Sequence, residues 1–355
     1  MRMRRIGVML AVVALLGAGC GDDDTSDDAA ATTTTAGSVT GPQNYTVTVD
    51  GPSTLGAENL VWGAYFPKIV AARPGDTIVF DNRSSNDIHT VTFGVKADRS
   101  DQPPAELKNG QANPAAFAPC YTTEPARPDL TCPPPTAGAP EYTGKGYWNS
   151  GVLAPTSLPA EAGPKQATVK LAAEIPPGPY TVTCTLHPFM EGTVQVAAAD
   201  GDRLSPAQVT AAGEKEFADA KAQAGGIAIP APAAVPNGAE VVSGWGDKLV
   251  AVNRFHPETV AVKVGQTVKW RGISPYMPHT VSFEPPFKSP AEPDALLPAG
   301  VKSGGRFGGG VSHSGIYGPP PGYPVDTFSL TFTKAGQYPY LCLLHPGMAG
   351  TVRVE

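Results

Sequence analysis

Short runs in which apolar and polar residues alternate recur along this chain. The first half has Tyr45-Thr46-Val47-Thr48-Val49, Lys68 to Ala72 and Thr77 to Asp81, and later Gln166 to Leu171, Tyr180 to Cys184 and Val194 to Val196. The second half has Glu258 to Val262, Thr267 to Arg271, Thr327 to Thr333, Tyr338 to Cys342 and Val352 to Val354. A period of two sends successive side chains to opposite faces, so these runs predict strands with one buried face. One segment keeps a helical period instead. Ser205-Pro206-Ala207-Gln208 offers an N-cap, a Pro at N1 and a capping-box Gln, and Val209, Ala212, Phe217 and Ala220 fall near one face before Gly225-Gly226. The Pro- and Ala-rich stretch Ile227 to Asn237 then predicts a stiff linker.

The strand pattern occurs twice, and it carries chemistry both times. Gly75 is followed 14 residues later by His89-Thr90-Val91, and Gly265 is followed 14 residues later by His279-Thr280-Val281. Further on come Cys184-Thr185-Leu186-His187-Pro188-Phe189-Met190 and Cys342-Leu343-Leu344-His345-Pro346-Gly347-Met348. Each copy reads His, then C-x2-H-x2-M. A soft thiolate, two imidazoles and a weak thioether suit copper in a mononuclear electron-transfer site. Pro188 and Pro346 stiffen the loop by fixing φ. Structural zinc does not favour Met, which weighs against that metal. The order is repeated, so two tandem domains are expected.

The expected boundaries are a signal peptide at 1–19, a disordered tether at 20–42, domain 1 at 43–199, helix and linker at 200–238, and domain 2 at 239–355. His89 and Cys184 are 95 residues apart and His279 and Cys342 are 63 apart, so domain 1 carries about 32 extra residues there. Trp148-Asn149-Ser150-Gly151 and Ser312-His313-Ser314-Gly315 are expected to be matching turns within the two connections.

Composition changes this picture at the edges. Met-Arg-Met-Arg-Arg followed by the apolar Ile6 to Leu16 has the form of a signal peptide and is too short to span a bilayer. Leu16-Gly17-Ala18-Gly19-Cys20 resembles a bacterial lipobox, although Gly17 stands where an aliphatic residue is usual. Cys20 is therefore the expected lipidation site, anchoring the chain outside the cytoplasmic membrane. Removing 1–19 takes away three Arg and no acid, moving the net charge from −6 to −6 − 3 = −9. An acidic chain without a basic run excludes nucleic acid as the expected partner. Export also makes a disulfide between Cys120 and Cys132 the expected use of the remaining pair.

The doubled ligand pattern, with Cys-Thr-x-His-Pro-Phe-Met in the first copy, resembles the cupredoxin family and its plastocyanin and amicyanin branch. The resemblance implies an all-β fold of two tandem Greek-key β-sandwiches joined by the helix and the Pro/Ala-rich linker. It implies two coppers cycling between Cu(I) and Cu(II): one on His89, Cys184, His187 and Met190, the other on His279, Cys342, His345 and Met348. Thr90 and Thr280 stand where the family commonly has an Asn that ties the ligand loops together. The function implied is one-electron transfer with redox partner proteins or membrane electron-transfer components, rather than enzymatic turnover. Six His are too few for a trinuclear copper cluster. The competing readings are a copper oxidoreductase with an added interface site, using His256 or His313, and a copper storage or delivery protein. The resemblance also implies that His187 and His345 lie near the surface as electron ports. Phe189 beside Met190, against Gly347 beside Met348, predicts better water exclusion and a higher potential in domain 1.

Overall fold

The structure, a computed structural model, describes residues 40–54, 56, 58–105, 113–133, 138–201, 203–284, 303–318 and 325–355. The signal-peptide and Cys20 expectations fall outside these residues. No helix among the described residues is long and apolar enough to cross a membrane.

The alternating runs build two β-sandwiches. In the first, one sheet has the order Tyr65–Phe66, Asn44–Val49, Thr77–Asn82, Gln166–Lys170. The facing sheet has the order Ile69–Ala72, Glu191–Val196, Gly178–Thr183, Thr92–Phe93, Tyr147–Ser150, Pro119–Thr122. Tyr45, Val47, Val49, Ile78, Phe80, Phe93, Val182 and Val194 meet between them and are at most 2% exposed. Those are the apolar positions of the alternation, which is why the sheets close on each other. The second sandwich repeats the plan. Gly305–Phe307, Thr327–Phe332, Thr267–Gly272, Gly238–Gly246 and Val250–His256 face Thr259–Val262, Ala349–Val354, Gly336–Leu341, Ser282–Phe283 and Ser312–His313. Its core centres on Trp270, Phe283, Phe328, Phe332 and Tyr340.

The segments expected as matching turns are strands, Tyr147–Ser150 and Ser312–His313, and they occupy equivalent places. Asn149 pairs with Thr92 and His313 with Ser282, while Val91 N and Val281 N donate to Ser150 Oγ and Ser314 Oγ. Cys120 and Cys132 are joined by a disulfide in the long domain 1 connection.

Two features bind the sandwiches together. The strand Leu60–Trp62, from the first half of the chain, is the edge strand of the second domain's sheet, antiparallel to Val250–His256. Around it Asn253 N donates to Asn59 O (2.8 Å), Asn59 Nδ2 to Asn253 O (3.1 Å) and Asn253 Nδ2 to Asn86 Oδ1 (3.2 Å). The helix Pro206–Ala224 begins at Ser205, whose hydroxyl accepts from Gln208 N while the Gln208 side chain accepts from Ser205 N. Gly213 lets it approach Phe66 and Pro67 so closely that a Cβ would lie 2.8 Å from backbone atoms. Phe217 then stacks edge-on to Trp62 and Phe66, at 5.0 and 5.4 Å between centroids. The helix thus covers the crossing strand rather than hanging between domains.

Candidate metal centres

Each site forms where three segments meet. In domain 1, His89 sits at the end of a loop held by paired backbone bonds to Leu153, and the Cys184 loop closes with Cys184 N donating to Met190 O and Met190 N to His187 O. Domain 2 repeats this with His279 paired to Tyr317, and with Cys342 N to Met348 O and Met348 N to His345 O. His89, Cys184 and His187 form one cluster and His279, Cys342 and His345 another, with the ligand atoms of each within 4.8 Å. Met190 and Met348 close the loops and are 0% and 1% exposed.

The imidazoles present Nδ1 to the sulfur. His187 Nδ1 lies 3.5 Å and His89 Nδ1 4.0 Å from Cys184 Sγ, and His345 Nδ1 lies 3.4 Å from Cys342 Sγ. Burial alone would raise both thiol pKa values, but the flanking histidines bring Cys184 and Cys342 well below a free thiol. Both cysteines are unpaired and buried. His279 Nδ1 is buried without a hydrogen-bond partner. A lowered thiol, an orphaned imidazole nitrogen and a buried thioether fit a soft or borderline metal better than an ordinary core.

Thr90 and Thr280 tie the loops. Thr185 N donates to Thr90 Oγ1 (2.9 Å), and Leu343 N to Thr280 Oγ1 (2.8 Å). Thr90 N and Thr280 N also point at the ligand sulfurs, at 3.3 and 3.4 Å. A hydroxyl accepts one amide here as an Asn carbonyl would.

Four partners of the ligands and their loops were not foreseen from the sequence. Arg99, at φ 56°, comes from the domain 1 insertion and clamps the ligand loop. Its guanidinium donates to Cys184 O (3.0 Å), His187 O (3.1 Å) and Met190 O (2.6 Å), and Gln102 Nε2 donates to Thr185 O. Asp50 is fully buried, with Oδ2 3.0 Å from His89 Nε2 and Oδ1 accepting from Gly51 N and Trp62 N. Burial opposes protonation of His89, but Asp50 and Cys184 raise its pKa to about 9. Asp87 is 2% exposed and stands 3.2 Å from His187 Nε2 and 3.8 Å from His345 Nε2. Burial would raise its pKa, yet His187 and then His345 hold it far below the usual carboxylate range.

Aligning the copies shows how these partners differ. Asn44 pairs with Thr77 and Gly238 with Thr267, so Asp50 and Gly244 occupy one position, at φ 58° and 66°. A Cβ on Gly244 would lie 2.1 Å from His279 Nε2. His279 therefore packs against bare backbone, with its Nε2 unpartnered and its pKa lowered by burial. Asp87, two residues before His89, corresponds to Met277, two before His279. A signal was present in the sequence: each carboxylate aligns with Gly or Met in the other copy.

Two expectations are corrected. His187 and His345 are not surface ports; they are 3% and 2% exposed and face each other across the domain contact, with Tyr276 edge-on to His187. Phe189 does not shield Met190. It is 48% exposed at φ 72°, with Lys248 over its ring. His313 is buried, with Nδ1 2.7 Å from Ser282 Oγ. Neither His313 nor His256 joins a metal-binding cluster among the described residues.

The family model for copper binding proteins of the plastocyanin/azurin family matches residues 248–355. The chain is 31% identical over 158 residues to chloroplastic plastocyanin of Tetradesmus obliquus, covering 43% of this chain and 94% of that protein. It is 34% identical over 125 residues to amicyanin of Paracoccus denitrificans, covering 35% of this chain and 72% of that protein. The solved structure of amicyanin from Paracoccus versutus is 27% identical, with a TM-score of 0.19, over 35% of this chain and 92% of that one. With two curated relatives matched over most of their length, the chain belongs to the cupredoxins, the plastocyanin/azurin family of copper-binding proteins.

Proposed function

We propose that this chain is an extracytoplasmic electron carrier with one type 1 copper in each domain. His89, Cys184, His187 and Met190 would hold the first, and His279, Cys342, His345 and Met348 the second. The observation that carries this reading is the pair of buried clusters, each a cysteine flanked by two histidines with ligand atoms within 4.8 Å of one another. Bound copper supplies a one-electron couple. The chain supplies a donor set fixed before the metal arrives, so little rearranges between oxidation states. Ligands at most 4% exposed speak against storage or delivery, which needs exchangeable sites. The reading is tested by metal content and the visible spectrum. Wild type binds two coppers and is blue; Cys184→Ser and Cys342→Ser each retain one copper and one blue band. Loss of both bands from either single substitution would contradict it.

Donors and acceptors are proposed to be redox proteins or membrane electron-transfer components. The lipobox-like context of Cys20 supports tethering at the outer face of the cytoplasmic membrane. Cys20→Ala then releases a copper-loaded protein from the membrane fraction; retention of that variant would exclude the anchor.

A further inference from the structure

We propose that Asp87 couples the two centres, so that electrons exchange between the domains inside one molecule through His187, Asp87 and His345. This rests on the two-copper reading above. The imidazoles that turn Nδ1 toward their cysteines turn Nε2 toward a single carboxylate, at 3.2 and 3.8 Å. Among the described residues no domain 2 carboxylate takes this place, and the residue aligned with Asp87 is the buried Met277.

Asp87 is held for the purpose. Asp87 N donates to Ser84 Oγ (3.1 Å), Ile88 N donates to Asp87 Oδ1 (2.8 Å), and Asn82 Nδ2 donates to Asp87 O (3.2 Å). Oδ2 makes no regular hydrogen bond although it is buried, which is costly for a carboxylate unless it faces cations or donors. His187 Nε2 faces Oδ2 at 3.2 Å, and His345 Nε2 faces Oδ1 at 3.8 Å, so the two rings meet that need from opposite domains. Packing beside the bridge is largely apolar: Val61, Ala251, Tyr276 and Met277 form one buried cluster, with Tyr276 edge-on to His187.

In the exchange one electron leaves the reduced centre and enters the oxidised one. No bond forms or breaks, both Nε2 protons stay on their rings, and Asp87 stays a carboxylate. Outside donors and acceptors must then approach on faces other than those of His187 and His345.

The test uses the full copper-loaded chain. A photogenerated reductant adds less than one electron per molecule, and redistribution between the centres is followed by absorbance and electron paramagnetic resonance. In wild type the redistribution rate is independent of protein concentration. Asp87→Asn keeps one acceptor but turns an amide donor toward the other ring, and Asp87→Leu removes both links. The rate falls about 10- to 100-fold, the range in which loss of an outer-shell partner acts, and further in Leu than in Asn. Both potentials also rise, because each centre loses the shared negative charge; a merely structural role would not move them together. A rate proportional to concentration in wild type, or an unchanged rate in Asp87→Leu with both coppers bound, overturns the proposal. Binding of fewer than two coppers by wild type would instead overturn the reading on which it rests.

Discussion

Gly244→Ala is expected to remove copper from domain 2 and leave domain 1 loaded. The new methyl would stand 2.1 Å from His279 Nε2 and 2.7 Å from its Cε1, so the ring must leave its place. A non-glycine residue at φ 66° adds roughly 1–2 kcal/mol of strain. Displacing a ligand costs more than losing an outer-shell partner, which already costs about 10- to 100-fold in affinity. Metal content should fall from two to one, with the remaining blue band that of domain 1. At the aligned position Asp50 already carries a Cβ, and His89 is placed to bond its carboxylate instead. Two coppers with an unchanged spectrum in Gly244→Ala would show that His279 accommodates the methyl.

Asp50→Asn is expected to raise the potential of the domain 1 centre, measured in a Cys342→Ser background that leaves one copper. The Asp50 carboxylate polarises the His89 ring toward imidazolate character, which favours the more positive oxidation state of the metal. Asn keeps the acceptor that Gly51 N and Trp62 N use and removes the charge. Charge-assisted hydrogen bonds contribute about 1.5–3 kcal/mol. A difference of about 1.4 kcal/mol between the two oxidation states is about 59 mV for one electron. Arg99 acts in the opposite sense, but it is partly exposed and bonds backbone carbonyls, whereas Asp50 is wholly buried on the ligand ring itself. Domain 1 should therefore be the lower-potential site, the reverse of the order inferred from Phe189. An unchanged or lowered potential in the Asn variant would refute the effect.

Most of the fold could be read from the chain because alternation and ligand order are local. That His89, Cys184 and His187 lie together was legible from their spacing, and so was the Ser205 cap. Their counterparts were readable because the second copy repeats them. The outer partners were harder. Asp87 and Arg99 reach the site across loops, and a period of two does not say which carboxylate will face an imidazole. The surface-port expectation failed for the same reason: Tyr276 against His187 and Asp87 beside His345 each come from the other domain, which a reading of one domain does not include. Leu60–Trp62 has an ordinary strand composition, and nothing in it announces the other domain's sheet.

That crossing strand has a consequence for how the molecule comes into being. Asn59 and Asn253, bonded to each other beside it, are 194 residues apart, so the second sheet is completed by a segment synthesised long before it. Until the later half arrives, Leu60–Trp62 has no sheet to join, and a chain beginning at the second domain would expose the edge of Val250–His256 to other chains. The two sandwiches share one plan, but the second is incomplete without a strand from the first half of the chain. Recombination could exchange loops between them, yet could not return the second half to independent life without first rebuilding an edge.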